Sequence, residues 1–187
     1  MASPAGHLVT SRVLCTDPGS RLLIVRAAVA AAVTGAGTGA GFGGWQLPGG
    51  AVAEDESPLD AVRREVREGL GLVLDLLPDD LLGVEWTRAG AGGPGERAGL
   101  VFLWRGPVLS SAETDRIVLA EGARAAWRWA APEEARRLLP VGAGDRARSR
   151  LQWPGTVGYQ EVRHPVAVAG VAAGLGKAAG PPGCPRA

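Results

Sequence analysis

Four charged side chains in a short stretch, Glu56, Arg64, Glu65 and Glu68, follow a Leu47-Pro48-Gly49-Gly50 turn and carry the chemistry that this sequence offers. At about 100° per residue around a helix, Glu65 and Glu68 fall roughly 60° apart on one flank, so their carboxylates can converge on one ion. Carboxylate oxygens at i and i+3 are the hard ligands that Mg²⁺ or Mn²⁺ prefers, and such a cation keeps waters and recruits phosphate oxygens. That is an arrangement for processing phosphate. Gly49 and Gly50, without side chains, let the backbone come close to a ligand.

The element that must position the acids is a helix starting at Pro58. Ser57 is a capping residue, Pro58 suits the first helical position because its missing N–H had no partner there, and Asp60 stands three residues after the cap. Leu59, Val62, Val66 and Leu70 recur at spacings of three, four and four, giving one apolar stripe to lay on a sheet. Arg63 and Arg67 read as exposed partners of neighbouring acids, through pairs such as Asp60 with Arg63 and Arg64 with Glu68.

Strands are expected at residues 8 to 15 and 21 to 27, joined by the turn-forming Asp17-Pro18-Gly19-Ser20. Further strands are expected over Leu81 to Arg88, Leu100 to Arg105 and Ala125 to Ala130, the first two joined by a Gly/Pro-rich hairpin connection from Ala89 to Gly99. Pro132 to Leu139 and Asp145 to Gln152 read as short helices. Residues 27 to 44 are Ala, Gly, Val and Thr without periodicity and read as a flexible loop, and 165 to 187 as a disordered tail.

At this point the segment resembles the Nudix box: a glycine, five residues, Glu, seven residues, Arg-Glu, an aliphatic, any residue, Glu-Glu, any residue, Gly and an aliphatic. Gly50, Glu56, Arg64, Glu65, Val66, Glu68, Gly71 and Leu72 match in register over 23 residues, and Trp45-Gln46-Leu47-Pro48-Gly49 ahead of them is also family-like. The resemblance implies an α/β fold, a Nudix-type α/β/α sandwich with a mixed sheet, over a single domain at residues 1 to 164. It implies hydrolysis of a nucleoside diphosphate linked to a second moiety, with Mg²⁺ or Mn²⁺ as cofactor. By carry-over Glu65 and Glu68 are metal ligands, with the Gly50 carbonyl also facing the ion. Glu65 and Arg64 are the catalytic pair, Arg64 orienting the carboxylates. Gly49 and Gly50 approach the substrate, and Glu56 supports the metal or the start of the helix. Among the tryptophans, which mostly read as core, Trp45 is the candidate for stacking on a nucleobase.

Departures from the pattern bear on activity. The second acid of the Glu-Glu pair, usually a principal metal ligand, is Gly69 here, and a glycine coordinates nothing through a side chain. The residues that often read Glu and Gly just before the box glutamate are Ala53 and Asp55 here, with Glu54 displaced by one, and acids often found before the late strand are Ala123 and Ala126. Gly69 lowers helix propensity by up to about 1 kcal/mol relative to Ala, so an early helix end is expected, with Glu68 on a frayed turn. Glu113, Asp115 and Glu121 lie where the family often supplies a general base on a mobile loop. Two functions therefore stand side by side, a slow hydrolase or a nucleotide- or protein-binding module. A structural role for the Ala/Gly-rich segments has no positive feature behind it.

The bulk numbers narrow the field. With 187 residues the chain suits one domain with a real core. A net charge of +1 offers no broad basic surface, so no nucleic-acid partner is expected and the partner is a small-molecule nucleotide. Cys15 and Cys184 form neither a disulfide framework nor metal-ligand spacing, His7 and His164 stand outside any metal-like cluster, and a cytoplasmic location without membrane association is expected.

Overall fold

The computed structural model describes residues 7–27, 44–88, 98–119, 124–140, 143, 147, 149 and 157–162. The Ala/Gly-rich loop, the hairpin connection after Ala89, Glu121 and the tail from 165 lie outside these residues, as does most of the helix expected over Asp145 to Gln152. Among the described residues the strands are β1 (Leu8–Thr16), β2 (Leu22–Ala27), β3 (Trp45–Gln46), β4 (Gly49–Ala51), β5 (Leu81–Thr87), β6 (Gly99–Val108), β7 (Arg124–Ala130) and β8 (Gly158–Val162). The α-helices are α1 (Pro58–Leu70), α2 (Ser111–Thr114) and α3 (Pro132–Leu138).

All the strands belong to one mixed sheet with the path β3-β2-β1-β6-β5-β8, while β4 pairs with β1 and β7 with β2. Two pairings are parallel, β1 with β6 and β5 with β8; the others are antiparallel. β1 and β2 meet only beside their turn, at Thr16 and Leu22. Beyond that point they part like a fork, and the segment from Trp45 to Ala51 fills the gap: β3 pairs with Val25 and Arg26 of one prong, β4 with Thr10 to Arg12 of the other. The glycine turn is thus strapped between two strands.

Both faces of the sheet are covered, which explains why β1 and β2 are nearly continuous apolar runs and not alternating ones. Successive residues still point to opposite sides. Val13, Cys15, Leu23 and Val25 pack with Val62, Val66 and Leu70 of α1. Leu14, Leu22 and Ile24 pack with Leu47, Leu103, Ala135 of α3 and Ala147. The expected α/β/α sandwich with a mixed sheet is what the chain forms. Trp127 and Trp129, on one face as expected, pack edge to face on each other and lie against the core on the α1 side. No helix among the described residues is long and apolar enough to cross a membrane.

One expectation fails at the end of α1. The helix does not fray before Gly69 but runs through it to Leu70, and ends at Gly71, whose left-handed φ of 68° and N–H bonded to the Arg67 carbonyl form the cap. Burial of Val62, Val66 and Leu70 is worth roughly 1.5–3 kcal/mol each, which outweighs the propensity lost at Gly69. The Val118 N–H adds a bond to the Leu70 carbonyl at 3.0 Å. After the cap, Leu72, Leu74 and Leu76 are buried while Val73, Asp75 and Leu77 are exposed, an alternation that feeds three leucines under α1.

Candidate functional site

α1 is fixed at its start before it presents any acid. Ser57 caps it, accepting from the Asp60 N–H at 3.1 Å, as its position predicts. A relay then fastens it to the sheet: Trp104 Nε1 donates to Ser11 Oγ at 2.8 Å, and Ser11 Oγ donates to the Pro58 carbonyl at 2.5 Å. Arg63 pairs with Asp60 at 3.2 Å and also reaches the Leu76 carbonyl, tying the exposed side of the helix to the leucine segment after it.

Arg64 is the hub of the site. Its Nε and Nη2 grip both oxygens of Glu56 at 3.0 and 2.6 Å, a fork on a carboxylate. Nη2 also donates to the Ala51 carbonyl at 3.2 Å, and Nη1 reaches Glu65 Oε1 at 3.1 Å and Glu68 Oε2 at 3.2 Å. Two consequences follow. Glu65 and Glu68 are brought together, each with an oxygen on the same nitrogen. Glu56 is committed to the approach to the helix, since its Oε1 additionally accepts from the Ala53 N–H at 2.8 Å. The Arg64 fork, with help from that N–H, holds the Glu56 carboxyl down at about 2, and Glu56 in turn raises the Arg64 guanidinium above its ordinary value.

The glycine turn and the helix meet at Glu65. A side chain at Gly50 would overlap the Glu65 carboxyl, and one at Gly49, whose φ is +125°, would strike the Ser11 carbonyl and the Arg12 backbone. Both glycines therefore answer to close approach within the protein: Gly49 lies flat on β1, and Gly50 lies flat under the carboxylate. Gly50 also pairs with Ser11 in the β1–β4 ladder. Glu65 is the more sheltered acid, 25% exposed, and Glu68 the more solvated, at 58%.

A divalent cation's fit rests on this donor set. Two convergent carboxylates beside a backbone turn are hard oxygen ligands, suited to an ion that keeps several waters and shares phosphate oxygens. Among the described residues no three His, Cys, Asp or Glu side chains gather into a metal-holding group. Gly69 is buried on the inward side of α1, one turn beyond Glu65, where the sequence lacks the further acid.

Other candidates lie apart. Trp45 packs on the α3 side of the sheet, opposite α1, with the guanidinium carbons of Arg26 and Arg128 at 5.6 and 5.9 Å from its ring centroid. Glu113 caps α2, accepting from Ser110 N at 2.8 Å and Ser110 Oγ at 2.6 Å, bonds that lower its carboxyl's pKa. It is exposed and occupied there, as befits a solvated loop. Cys15 is buried beneath α1, and burial pushes its thiol up to about 12, far from a nucleophile's range.

Residues that sequence reasoning passed over are Ser11 and Arg12. Arg12 is 7% exposed, and its Nη1 donates to the Leu47 carbonyl at 3.2 Å and to the Gly49 carbonyl at 2.8 Å. Its signal was a charged residue between Ser11 and Val13 in a strand otherwise bound for the core.

The fold is shared with several solved structures. A MutT protein from Methanosarcina mazei Go1 superposes with a TM-score of 0.58 at 19% identity, over 81% of this chain and 97% of that one. An Ap4A hydrolase from C. elegans gives 0.58 at 15% identity, over 78% and 95%. An ADP-ribose pyrophosphatase from Streptococcus suis 89-1591 gives 0.53 at 16%, over 83% and 99%. Among curated proteins no match is found. The family model for the NUDIX domain matches residues 6–152, which span the fork, the glycine turn and α1; the chain belongs to the Nudix family and is by kind a pyrophosphohydrolase.

Proposed function

We propose that the protein hydrolyses the diphosphate linkage of a nucleoside diphosphate derivative or nucleotide with Mg²⁺ or Mn²⁺, at a rate limited by the missing acid at position 69. The observation that carries this reading is the convergence of Glu65 and Glu68 on one Arg64 nitrogen while the Glu65 carboxyl lies against Gly50. Glu65, Glu68 and the Gly50 carbonyl would hold the cation. Bound there, a divalent ion polarises a phosphorus centre and lowers the pKa of an attacking water. Arg64 orients the two acids, and Glu56 holds Arg64 in turn. Gly49 and Gly50 would bring the backbone of the turn close to the substrate, while Trp45, on the α3 side of the sheet opposite α1, stands apart from these acids. The similar structures named for a MutT protein, an Ap4A hydrolase and an ADP-ribose pyrophosphatase support a substrate with a phosphoanhydride between a nucleoside and another group. This reading places the protein in the cytosol.

A second reading is a binding module that keeps the cleft and has lost turnover. The buried Gly69 favours it, because no side chain at that position completes the ligand set. One assay separates the two. With Mg²⁺ or Mn²⁺ and a panel of nucleoside triphosphates, ADP-ribose and dinucleoside polyphosphates, the hydrolase cleaves at least one compound and Glu65→Gln stops it. Tight nucleotide binding without cleavage supports the module, and cleavage indifferent to Glu65→Gln ends the hydrolase reading.

A further inference from the structure

We propose that Arg12 is a positioning residue for turnover, clamping the glycine turn from the α3 side of the sheet so that Gly50 is held against the Glu65 carboxylate on the α1 side. The inference deepens the hydrolase reading and rests on it for its kinetic part. Arg12 sits in β1 opposite Gly49, one residue from the Ser11–Gly50 pair. Its Nη1 takes the Leu47 and Gly49 carbonyls together, and the Val13 N–H takes the intervening Pro48 carbonyl at 2.9 Å. Three consecutive carbonyls of the turn are thus tied to two consecutive residues of β1.

A guanidinium is an unusual occupant of this face. The side chain lies on the same face as Leu14 and opposite Leu103 of β6, and burying a charge among such neighbours is unfavourable unless hydrogen bonds compensate. The two turn carbonyls supply such bonds. A lysine keeps the charge but carries it on a flexible stem in place of the rigid guanidinium, so it restores the clamp only in part. Released from Arg12, the turn can shift relative to Glu65, and displacements of about 1 Å at a reacting centre lower rates by roughly a hundredfold. Substrate binding spread over the rest of the cleft is less affected, so the loss falls on kcat more than on KM.

The test compares full-length wild type with Arg12→Met, which keeps the bulk and removes the donors, and with Arg12→Lys. Amide hydrogen exchange is followed by peptide without ligand, and kcat and KM are measured with ADP-ribose and Mn²⁺, or with whichever panel compound the wild type cleaves. Exchange over residues 45–52 should accelerate about tenfold or more in Arg12→Met while peptides from β5 and β6 hold their protection. kcat should fall by roughly 10- to 100-fold with KM within about threefold, and Arg12→Lys should lie between. Unchanged exchange at 45–52 overturns the clamp, and so does a loss of protection spread evenly over the sheet, which marks a general core role. Faster local exchange with an unchanged kcat overturns the positioning role. If Arg12→Met does not fold, Arg12→Lys decides on the same criteria. If the wild type cleaves nothing, the hydrolase reading fails and the positioning role with it, while the exchange result still decides the clamp.

Discussion

The two ends of α1 are built to different standards. At its start Glu56, 15% exposed, is gripped by Arg64 and the Ala53 N–H, and Ser57, Asp60 and Arg63 bond among themselves. Toward its end Glu68 is more than half exposed, and the next residue is a glycine that contributes only backbone. The contrast separates two jobs that one motif performs. Residues that hold the helix and turn in place are complete, whereas the set that would hold an ion is thin. A chain can thus keep the geometry of a catalytic cleft while its chemistry weakens, because different side chains serve each purpose.

The sharpest way to test that separation is at Glu65, which stands on the boundary between the two groups. Glu65→Gln should lower turnover by about a thousandfold or more, the scale for losing a group that acts at the reacting centre. Its melting temperature should move little, because Arg64 keeps Glu56 and Glu68 and a partly exposed pair contributes about 0–1 kcal/mol. Parallel assays of kcat and thermal unfolding decide the matter: a large stability loss with modest loss of rate would put Glu65 among the structural residues.

Arg64→Met should strike both groups at once. Without the guanidinium, Glu56, Glu65 and Glu68 lose their common counter-charge, and the sheltered Glu56 is left with the Ala53 N–H. A destabilisation of about 2–3 kcal/mol is expected, below the 3–5 typical of fully buried pairs because Arg64 keeps 30% exposure. Urea unfolding measures it, and a change under about 1 kcal/mol would mean that the hub is solvent-screened.

Gly69→Glu tests the sparse end directly. A carboxylate one turn beyond Glu65 supplies a further hard ligand, so Mn²⁺ affinity, read by the signal of the free ion in electron paramagnetic resonance, should rise by about tenfold, the scale attached to a supporting metal-site residue. Turnover should rise with it. The position is buried, so the variant should be less stable in the absence of metal and regain stability when Mn²⁺ is added. No change in affinity would show that the acid at this position is not what the site lacks.

How much of this was legible in the sequence follows from the range of the forces involved. The helix start at Ser57-Pro58 and the strands β1, β2, β5 and β6 were readable because caps, turns and apolar spacing act within a few residues. The convergence of Glu65 and Glu68 was readable for the same reason. The fork that straps Trp45 to Ala51 between β1 and β2 was not, since it depends on strand pairings between residues that stand from 19 (Arg26 with Trp45) to 41 (Thr10 with Ala51) positions apart. Arg12 escaped for the same cause: its partners, Leu47 and Gly49, lie 35 and 37 positions away. β8 carries Gly, Tyr, Gln, Glu and Val without alternation and joins the sheet through its backbone at an edge, which leaves no composition signal. Local propensity at Gly69 predicts a frayed helix end, whereas the burial of Val66 and Leu70, which local sequence does not weigh, decides the outcome.

The last effect concerns Glu56 and is read from pH. Its carboxyl is held at about 2 in the folded protein against an ordinary value of 4.5. A carboxyl with a depressed folded value contributes stability that is fully present above its unfolded value and is lost as pH falls through its folded one. The contribution of the Glu56 pair is therefore intact at neutral pH and drains away between about pH 4.5 and 2, while Arg64 stays charged throughout. Glu56→Gln has no such proton to take up. It should melt lower than wild type at pH 7, and the gap should narrow below pH 4.5 and close toward pH 2, measured as melting temperature against pH. A gap of constant width would mean that the glutamine's loss is one of packing and hydrogen bonding, and that the charge on Glu56 adds nothing to the complete end of the helix.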